Sequence, residues 1–393
     1  MVWELSEVNV GSGLPLEGVR ILDLSRVLAG PLAAMIAGDL GADVIKVEGP
    51  DGDPVRSLAP PTFGEDATYY LAVNRHRRNI VADLRNPEDF AKVAALVEVA
   101  DAVVENFLPS QFEALGIARL RRANPECVWV SVTPAATGSG LEGSPSFDVL
   151  AQARSGLMGV TGDAKGGPVK VGAPVADVVT GLYAGIALVT GLFARQTGRP
   201  GRHFEAPLLE CTMSALVNQA QGYLATGVNP RRLGNDHPSI APYGPVRTGD
   251  GLVMLAVGTD AQFARLLTAL NLEASDLDAA SRWRTNAQRV ADRDALREAL
   301  ERVFVSRPTA DWLGVLTDAN VPHAPVLDVA GAFDQPAVRD GDFVGEMSTP
   351  QGTLRAMRSP LRVDGVRPPL RSGPRRLGAD NPELMDSPAS TPG

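Results

Sequence analysis

The sequence predicts an α/β protein, with a large domain built on a parallel sheet and a second, smaller α/β domain after it. Three observations predict this. Short apolar runs alternate with helical segments between residues 19 and 132, the signature of buried parallel strands with crossover helices. The 393 residues, 44% hydrophobic and 21% charged, suffice for a large core and two domains. After Glu210 the pattern changes and charge becomes denser.

Residues 1–15 read as a loose arm. An apolar run at 19–24, a helix at 32–40 closed by Gly41, and a second run at 44–47 ending in Glu48 form a βαβ unit. Strands follow at 79–84, 102–105 and 127–132, and helices at 88–99, 110–115 and 118–124. A long helix starts near Val178. Leu182, Ile186, Val189 and Phe193 recur at helical spacing and predict its buried face. Arg195 and Gly198 supply the stop. Residues 208–224 read as one helix, and a Gly/Pro/Asn-rich passage runs from 227 to 244. A strand at 252–257 and helices at 260–270, 291–305 and 309–319 complete a small domain, 225–325. Residues 322–329 lead back toward the first domain. From Arg367 the chain is rich in Pro, Gly and Ser and reads as a surface tail.

Composition excludes several classes. A net charge of -9 argues against nucleic acid or an anionic membrane as partner. Cys127 and Cys211 lie in apolar runs and read as buried thiols, not a disulfide. His76, His203, His237 and His323 are scattered without ligand spacing, so no metal site is expected. No signal peptide is evident, and the apolar stretch 178–194 is short for a membrane span. These features fit a cytoplasmic protein.

Asp177 is the most informative residue. It is the one acidic group between Asp163 and Glu205, placed where a Pro-containing loop turns into the long helix. There the helix dipole and free N–H groups favour an ionised, aimed carboxylate. Such a group usually only caps the helix; it can also attack a carbonyl. Gly172, Pro174 and Ala176 keep the approach slim. Gly181 and Gly185 each weaken a helix by about 1 kcal/mol relative to Ala, which implies close packing against its first turns.

Other candidates carry two readings each. Leu28-Ala29-Gly30-Pro31 with Glu48 invites a dinucleotide site, yet the turn lacks GxGxxG, so ordinary helix–sheet packing is favoured. The basic cluster Asn74-Arg75-His76-Arg77-Arg78 is a solvated loop or a phosphate grip. Glu105-Asn106-Phe107 ends a strand, where ligands bind in parallel sheets, or merely packs a Phe. Ser146-Phe147-Asp148 sits in a long loop of the kind that often carries function.

Taken together, certain segments carry a resemblance. They are GVRILDLSRVLAGP (18–31), DLGADVIKVEGPDGDPVR (39–56), NRHRRNI (74–80), VVENFLPSQFEALG (103–116) and FDVLAQARSG (147–156). The Asp177 helix ending RQTGRPG (195–201), RLGNDHPSIAPYGPV (232–246), DGLVMLAVG (250–258) and NVPHAPV (320–326) complete the set. In this order, over nearly the whole chain, they resemble the family III CoA-transferases, the group of formyl-CoA and carnitine CoA-transferases. The resemblance implies a Rossmann-like large domain (1–207), a linker helix (208–224), a small domain (225–325) and a return to the large domain (326–393). It also implies a homodimer of two interlocked rings, for which an isolated folded monomer is not expected.

The resemblance assigns chemistry too. Asp177 matches the family's catalytic aspartate, which forms a mixed anhydride with an acyl-CoA and then an aspartyl-CoA thioester. Family contacts to CoA map onto Leu28, Ala29, Asn74, Arg75, Arg77, Asn106, Phe107, Ser146 and Phe147. Coenzyme A is then a co-substrate with no permanently bound cofactor, and the partners are an acyl-CoA, a small carboxylic acid and a second copy of the chain. Two departures narrow this. The glycine run of formyl-CoA transferases is reduced to Gly258-Thr259-Asp260, which argues against oxalate and formate. Phe147 stands where related α-methylacyl-CoA racemases carry a His, which favours transfer over isomerisation. A racemase, a nicotinamide or flavin oxidoreductase and a non-catalytic CoA binder remain the rivals. Tyr223, the 227–243 passage and the 258–260 turn are expected to line the acyl pocket.

Overall fold

The computed structural model describes residues 13–271 and 282–385; most of the expected N-terminal arm and the last eight residues of the tail lie outside them. The chain forms two compact units. One comprises residues up to 157, 171–227 and 336 onward; the other comprises 158–170 and 228–335.

The first unit is built on six parallel strands: β1 (Arg20–Asp23), β2 (Asp43–Glu48), β3 (Arg77–Val81), β4 (Ala102–Glu105), β5 (Val128–Thr133) and β6 (His203–Pro207). Their order is β3-β2-β1-β4-β5-β6. Strand order reverses between β1 and β4, which makes the crevice beyond their carboxyl ends the ligand position of such sheets. Apolar runs were legible because both faces are buried. Ile21, Val44, Ala102, Val104, Val128 and Val130 face α1 (Ala29–Asp39) and its neighbours. Leu22, Ile45, Ile80, Val103 and Trp129 face the layer of α3 (Pro87–Glu98) and α5 (Ile117–Ala123), against which Phe112 of α4 (Pro109–Ala114) also packs, while Val73 of α2 (Thr68–Val73) packs with Leu28 and Met35. Strand β6 was not foreseen. Its sequence HFEAP is polar and ends in Pro, as an edge strand allows.

The free edge at β3 is closed by the C-terminal return. The β3 amides of Asn79 and Val81 donate to Asp380 Oδ2 (2.7 Å) and Asn381 Oδ1 (2.8 Å), and Met385 is buried in the core. Part of the expected surface tail is therefore structural: those side chains occupy backbone donors that would otherwise template another strand.

Helix α6 (Asp148–Arg154) precedes the long helix α7 (Val175–Gln196). The expected buried face of α7 is corrected. Leu182, Ile186, Val189 and Phe193 are 49%, 61%, 43% and 64% exposed, whereas Thr180, Gly181, Ala184, Leu188, Gly191 and Ala194 are buried. Small residues let the helix axis approach the sheet. A Cβ on Gly191 would lie 2.4 Å from Val128 Cγ1, and one on Gly181 would lie 2.8 Å from the Ala29 carbonyl oxygen. Gly185 meets nothing closer than 4.0 Å, so close packing does not explain it. With 22 residues, α7 is long and apolar enough to cross a membrane, but a helix held along one face by a sheet is not surrounded by lipid. The expected single helix at 208–224 is two, α8 (Leu208–Ser214) and α9 (Val217–Thr226). Neither Gly nor Pro marks the joint, where Val217 has φ 37°.

The second unit carries an antiparallel sheet of β7 (Tyr243–Arg247), β8 (Leu252–Ala256) and β9 (His323–Pro325), in the order β9-β8-β7. Its core joins Val253, Leu255, Phe263, Leu296, Phe304 and Trp312. Residues 323–325, expected to lead back to the first domain, instead pair with β8.

Candidate active site

The turn after β1 is strained. Val27 has φ 71°, a conformation that a β-branched residue adopts only when its surroundings impose it, at about 1–3 kcal/mol. Those surroundings are present. The Val27 N–H donates to both Asp53 carboxylate oxygens at 3.2 and 3.3 Å. The Arg26 N–H donates to Asn106 Oδ1 at 2.9 Å, and Asn106 Nδ2 donates back to the Arg26 carbonyl at 2.8 Å. Buried Lys46 donates to the Ser25 carbonyl (2.9 Å) and pairs with Asp53 (3.0 Å). Gly30 is required here, because a Cβ would lie 2.4 Å from Ser25 Cβ. The result fixes Arg26, Val27, Leu28 and Ala29 on one wall of a cleft of about 310 Å³.

Asp177 lies on the same cleft, in the first turn of α7. It does not cap the helix. Asp148 does: its Oδ1 accepts the N–H of Ala176 (2.8 Å) and of Asp177 (3.4 Å), while its Oδ2 accepts from Gln152 Nε2 (2.7 Å). The Asp177 carboxylate has no hydrogen-bond partner among the described residues. Burial, and then the charge of Asp148, push its pKa up to about 7. The helix start therefore does not act alone on this carboxylate, as the sequence-based expectation had it: burial, and then a like charge, oppose its ionisation. Nor are the first N–H groups of α7 free to hold an oxyanion. Those of Ala176 and Asp177 face Asp148, and that of Val178 donates to the Pro174 carbonyl.

Leu28, Ala29, Asn106, Ser146, Phe147 and Asp177 meet on this cleft. Four other candidates do not. Arg75 is buried in a two-bond pair with Asp39 (2.7 and 2.6 Å). Arg77 is buried against Asp23 (2.7 Å), Asn74 Oδ1 (2.7 Å) and the Pro31 carbonyl, and Asn74 Nδ2 donates to the Tyr70 carbonyl (3.0 Å). Phe107 packs into the core beneath β4. The basic cluster thus holds α1 and the β1 turn in place, since each buried cation here meets a carboxylate.

Residues that the sequence did not single out join the site. Arg26 and Gln111 line it, and Tyr69 packs beside Leu28 and Val178. Burial, then Asp177, Asp148 and Asp53, push the Tyr69 phenol to about 12, so it is a protonated donor near the carboxylates. Arg26 sits in a turn whose strain has no sequence signature; only its place after a strand could have flagged it.

Glu48, weighed as a ribose ligand, is occupied. Its carboxylate accepts from Arg56 (2.8 Å), Tyr70 (3.0 Å), Asn79 (2.5 Å) and the Asp53 N–H (2.6 Å). Burial would raise its pKa, but the Arg56 bond, with Lys46, holds it at about 2. Among the described residues no cluster of His, Cys, Asp or Glu fits a metal ion.

Comparison with known proteins shows the family. The model of CoA-transferase family III matches residues 16–381. The succinate–glutarate CoA-transferase of Agrobacterium fabrum is 37% identical over 381 residues, covering 94% of this chain and 93% of that protein. Human succinyl-CoA:glutarate CoA-transferase is 36% identical over 339 residues, 86% of this chain and 77% of that one. The crystal structure of a CAIB/BAIF family protein from Brucella suis matches with a TM-score of 0.84 and 35% identity, over 95% of this chain and 99% of that chain.

Proposed function

The chain belongs to CoA-transferase family III, and from that premise we propose that it moves CoA between two carboxylic acids through Asp177. One observation carries this reading: Asp148 fills the helix cap, which leaves the Asp177 carboxylate unpartnered on the cleft. The ionised carboxylate attacks the thioester carbonyl and expels CoA thiolate, giving a mixed anhydride. The thiolate attacks the aspartyl carbonyl, releasing the first acid and leaving an aspartyl-CoA thioester. The second acid's carboxylate displaces the thiolate to form a second anhydride. The thiolate then takes the new acyl group and Asp177 is restored. Each step exchanges one activated carboxyl for another, so no nucleotide is hydrolysed. Either anhydride must be kept from water, a task to which Val27, Leu28, Pro54 and Leu108 on the cleft wall are suited.

The relatives' names point to small dicarboxylic acids as donor and acceptor. Leu28, Ala29, Asn106, Ser146 and Phe147 would hold CoA along the carboxyl ends of β1 and β4. Asn74, Arg75 and Arg77 would support that wall from behind. A homodimer in the cytoplasm completes the reading. The exposed apolar stripe of α7, Leu182, Ile186, Val189 and Phe193, has no cover within its own chain among the described residues and fits a second copy. The test is chemical. Incubation with acyl-CoA and trapping with hydroxylamine or borohydride should label Asp177, and Asp177→Ala should abolish transfer. Transfer retained in that variant overturns the assignment.

A further inference from the structure

Among the described residues, the cleft is lined by one acidic and one basic residue, Asp177 and Arg26. Much of its remaining wall is apolar, including Val27, Leu28, Pro54 and Leu108. The Arg26 guanidinium has no hydrogen-bond or ion-pair partner among the described residues; only its backbone is engaged, by Asn106. By contrast, Arg56, Arg75 and Arg77, the other arginines around the β1 turn, are tied into carboxylates. The backbone on either side is fixed, on one side by Asn106 and on the other by Asp53 through strained Val27. A fold that maintains a strained turn, and leaves the guanidinium beside it unpaired at an apolar cleft, presents that guanidinium to a ligand.

Resting on the transferase reading above, we propose that Arg26 determines specificity by receiving a second anionic group of the substrates, remote from the carboxyl that reacts at Asp177. Electrostatics require such a receiver. A substrate with a second negative charge enters a partly desolvated site that already holds the Asp177 carboxylate, and like charges there are costly without a counterion. A guanidinium fork matches two oxygens of a carboxylate or a phosphate. The second group is therefore either the distal carboxylate of a dicarboxylic acid or a phosphate of CoA.

The experiment compares wild type, Arg26→Gln and Arg26→Lys in two arms. The first measures kcat/KM for a dicarboxylic acceptor, glutarate, against a monocarboxylic acid of equal length, valerate. The second measures kcat/KM for acyl-CoA against the corresponding acyl-pantetheine, which lacks the phosphates. One ratio should fall about 10- to 100-fold in Arg26→Gln, the worth of a charge-assisted pair; Arg26→Lys, which keeps the charge without the fork, should fall less. A change in the first ratio identifies the carboxylate and a change in the second the phosphate. If both ratios are unchanged while Asp177 still forms its CoA adduct, the inference fails and the transferase reading stands. If wild type forms no adduct and transfers nothing, that reading itself fails.

Discussion

Asp148 Oδ1 accepts the backbone N–H of Asp177 at 3.4 Å and that of Ala176 at 2.8 Å. One carboxylate thus closes the helix start and leaves the other free, and burial, then the charge of the first, raise the pKa of the carboxylate left free. Asp177→Ala should lower transfer by at least about 10³-fold, because no other carboxylate among the described residues lines the cleft. Asp148→Asn keeps the cap acceptor and removes the charge; Asp148→Ala removes both and should cost about 1 kcal/mol in thermal or urea unfolding. Comparing the two separates the cap from the field.

The same pair sets a pH dependence. Asp177 is nucleophilic only when ionised, so kcat/KM should rise with pH through about 7. In Asp148→Asn that limb should move to lower pH. A rate that is flat from pH 5 to pH 8, in both proteins, would show that the Asp177 proton does not control the reaction.

Stability should respond in the opposite sense. The folded chain holds the Asp177 proton more tightly than the unfolded chain, whose group has a pKa near 3.8. Its contribution is fully present below 3.8 and is lost as pH rises through about 7. Asp177→Asn removes the ionisation. Its melting temperature relative to wild type should therefore be near parity at low pH and higher above pH 7, as differential scanning would record.

Much of this was legible in the sequence, and the failures have physical causes. Strands β1, β2, β4 and β5 are buried on both faces and read as apolar runs, whereas β6 and β9 are short, contain Pro and His, and carry no such signal. On α7 periodicity marks two stripes, one bulky and one small. Choosing the bulky stripe as buried assumes one chain alone. Asp177 was visible because no acid stands near it, but its capping partner lies 29 residues away. The letters of Asn74–Arg78 are the same for a phosphate grip and for ion pairs to Asp39 and Asp23; only the fold distinguishes them.

Two glycines of α7 should respond differently to the same change. A Cβ at Gly181 would meet the Ala29 carbonyl at 2.8 Å, and backbone cannot turn aside as a side-chain tip can. Gly181→Ala should cost about 1–3 kcal/mol and, by displacing Ala29, lower kcat/KM. Gly185 has room, with its nearest neighbour atom at 4.0 Å. Gly185→Ala should be neutral or stabilise by up to about 1 kcal/mol through helix propensity. Equal penalties in urea unfolding would refute the packing of α7 on α1.

The exposed stripe of α7 gives the last test. Ile186 and Phe193 are 61% and 64% exposed and stand seven residues apart, two turns along one face. In a single chain facing water, Ile186→Glu and Phe193→Glu should be harmless or should improve solubility. In a homodimer that buries this face, each places an unpaired carboxylate in an apolar interface, at a cost of several kcal/mol. The proposed interlocked homodimer would offer no separately folded protomer, so under that proposal the expected outcome is loss of soluble dimer instead of a clean monomer, seen by light scattering after size exclusion. A stable, active protein of unchanged mass in both variants would show that this face is not the interface, and the stripe would then need another cover.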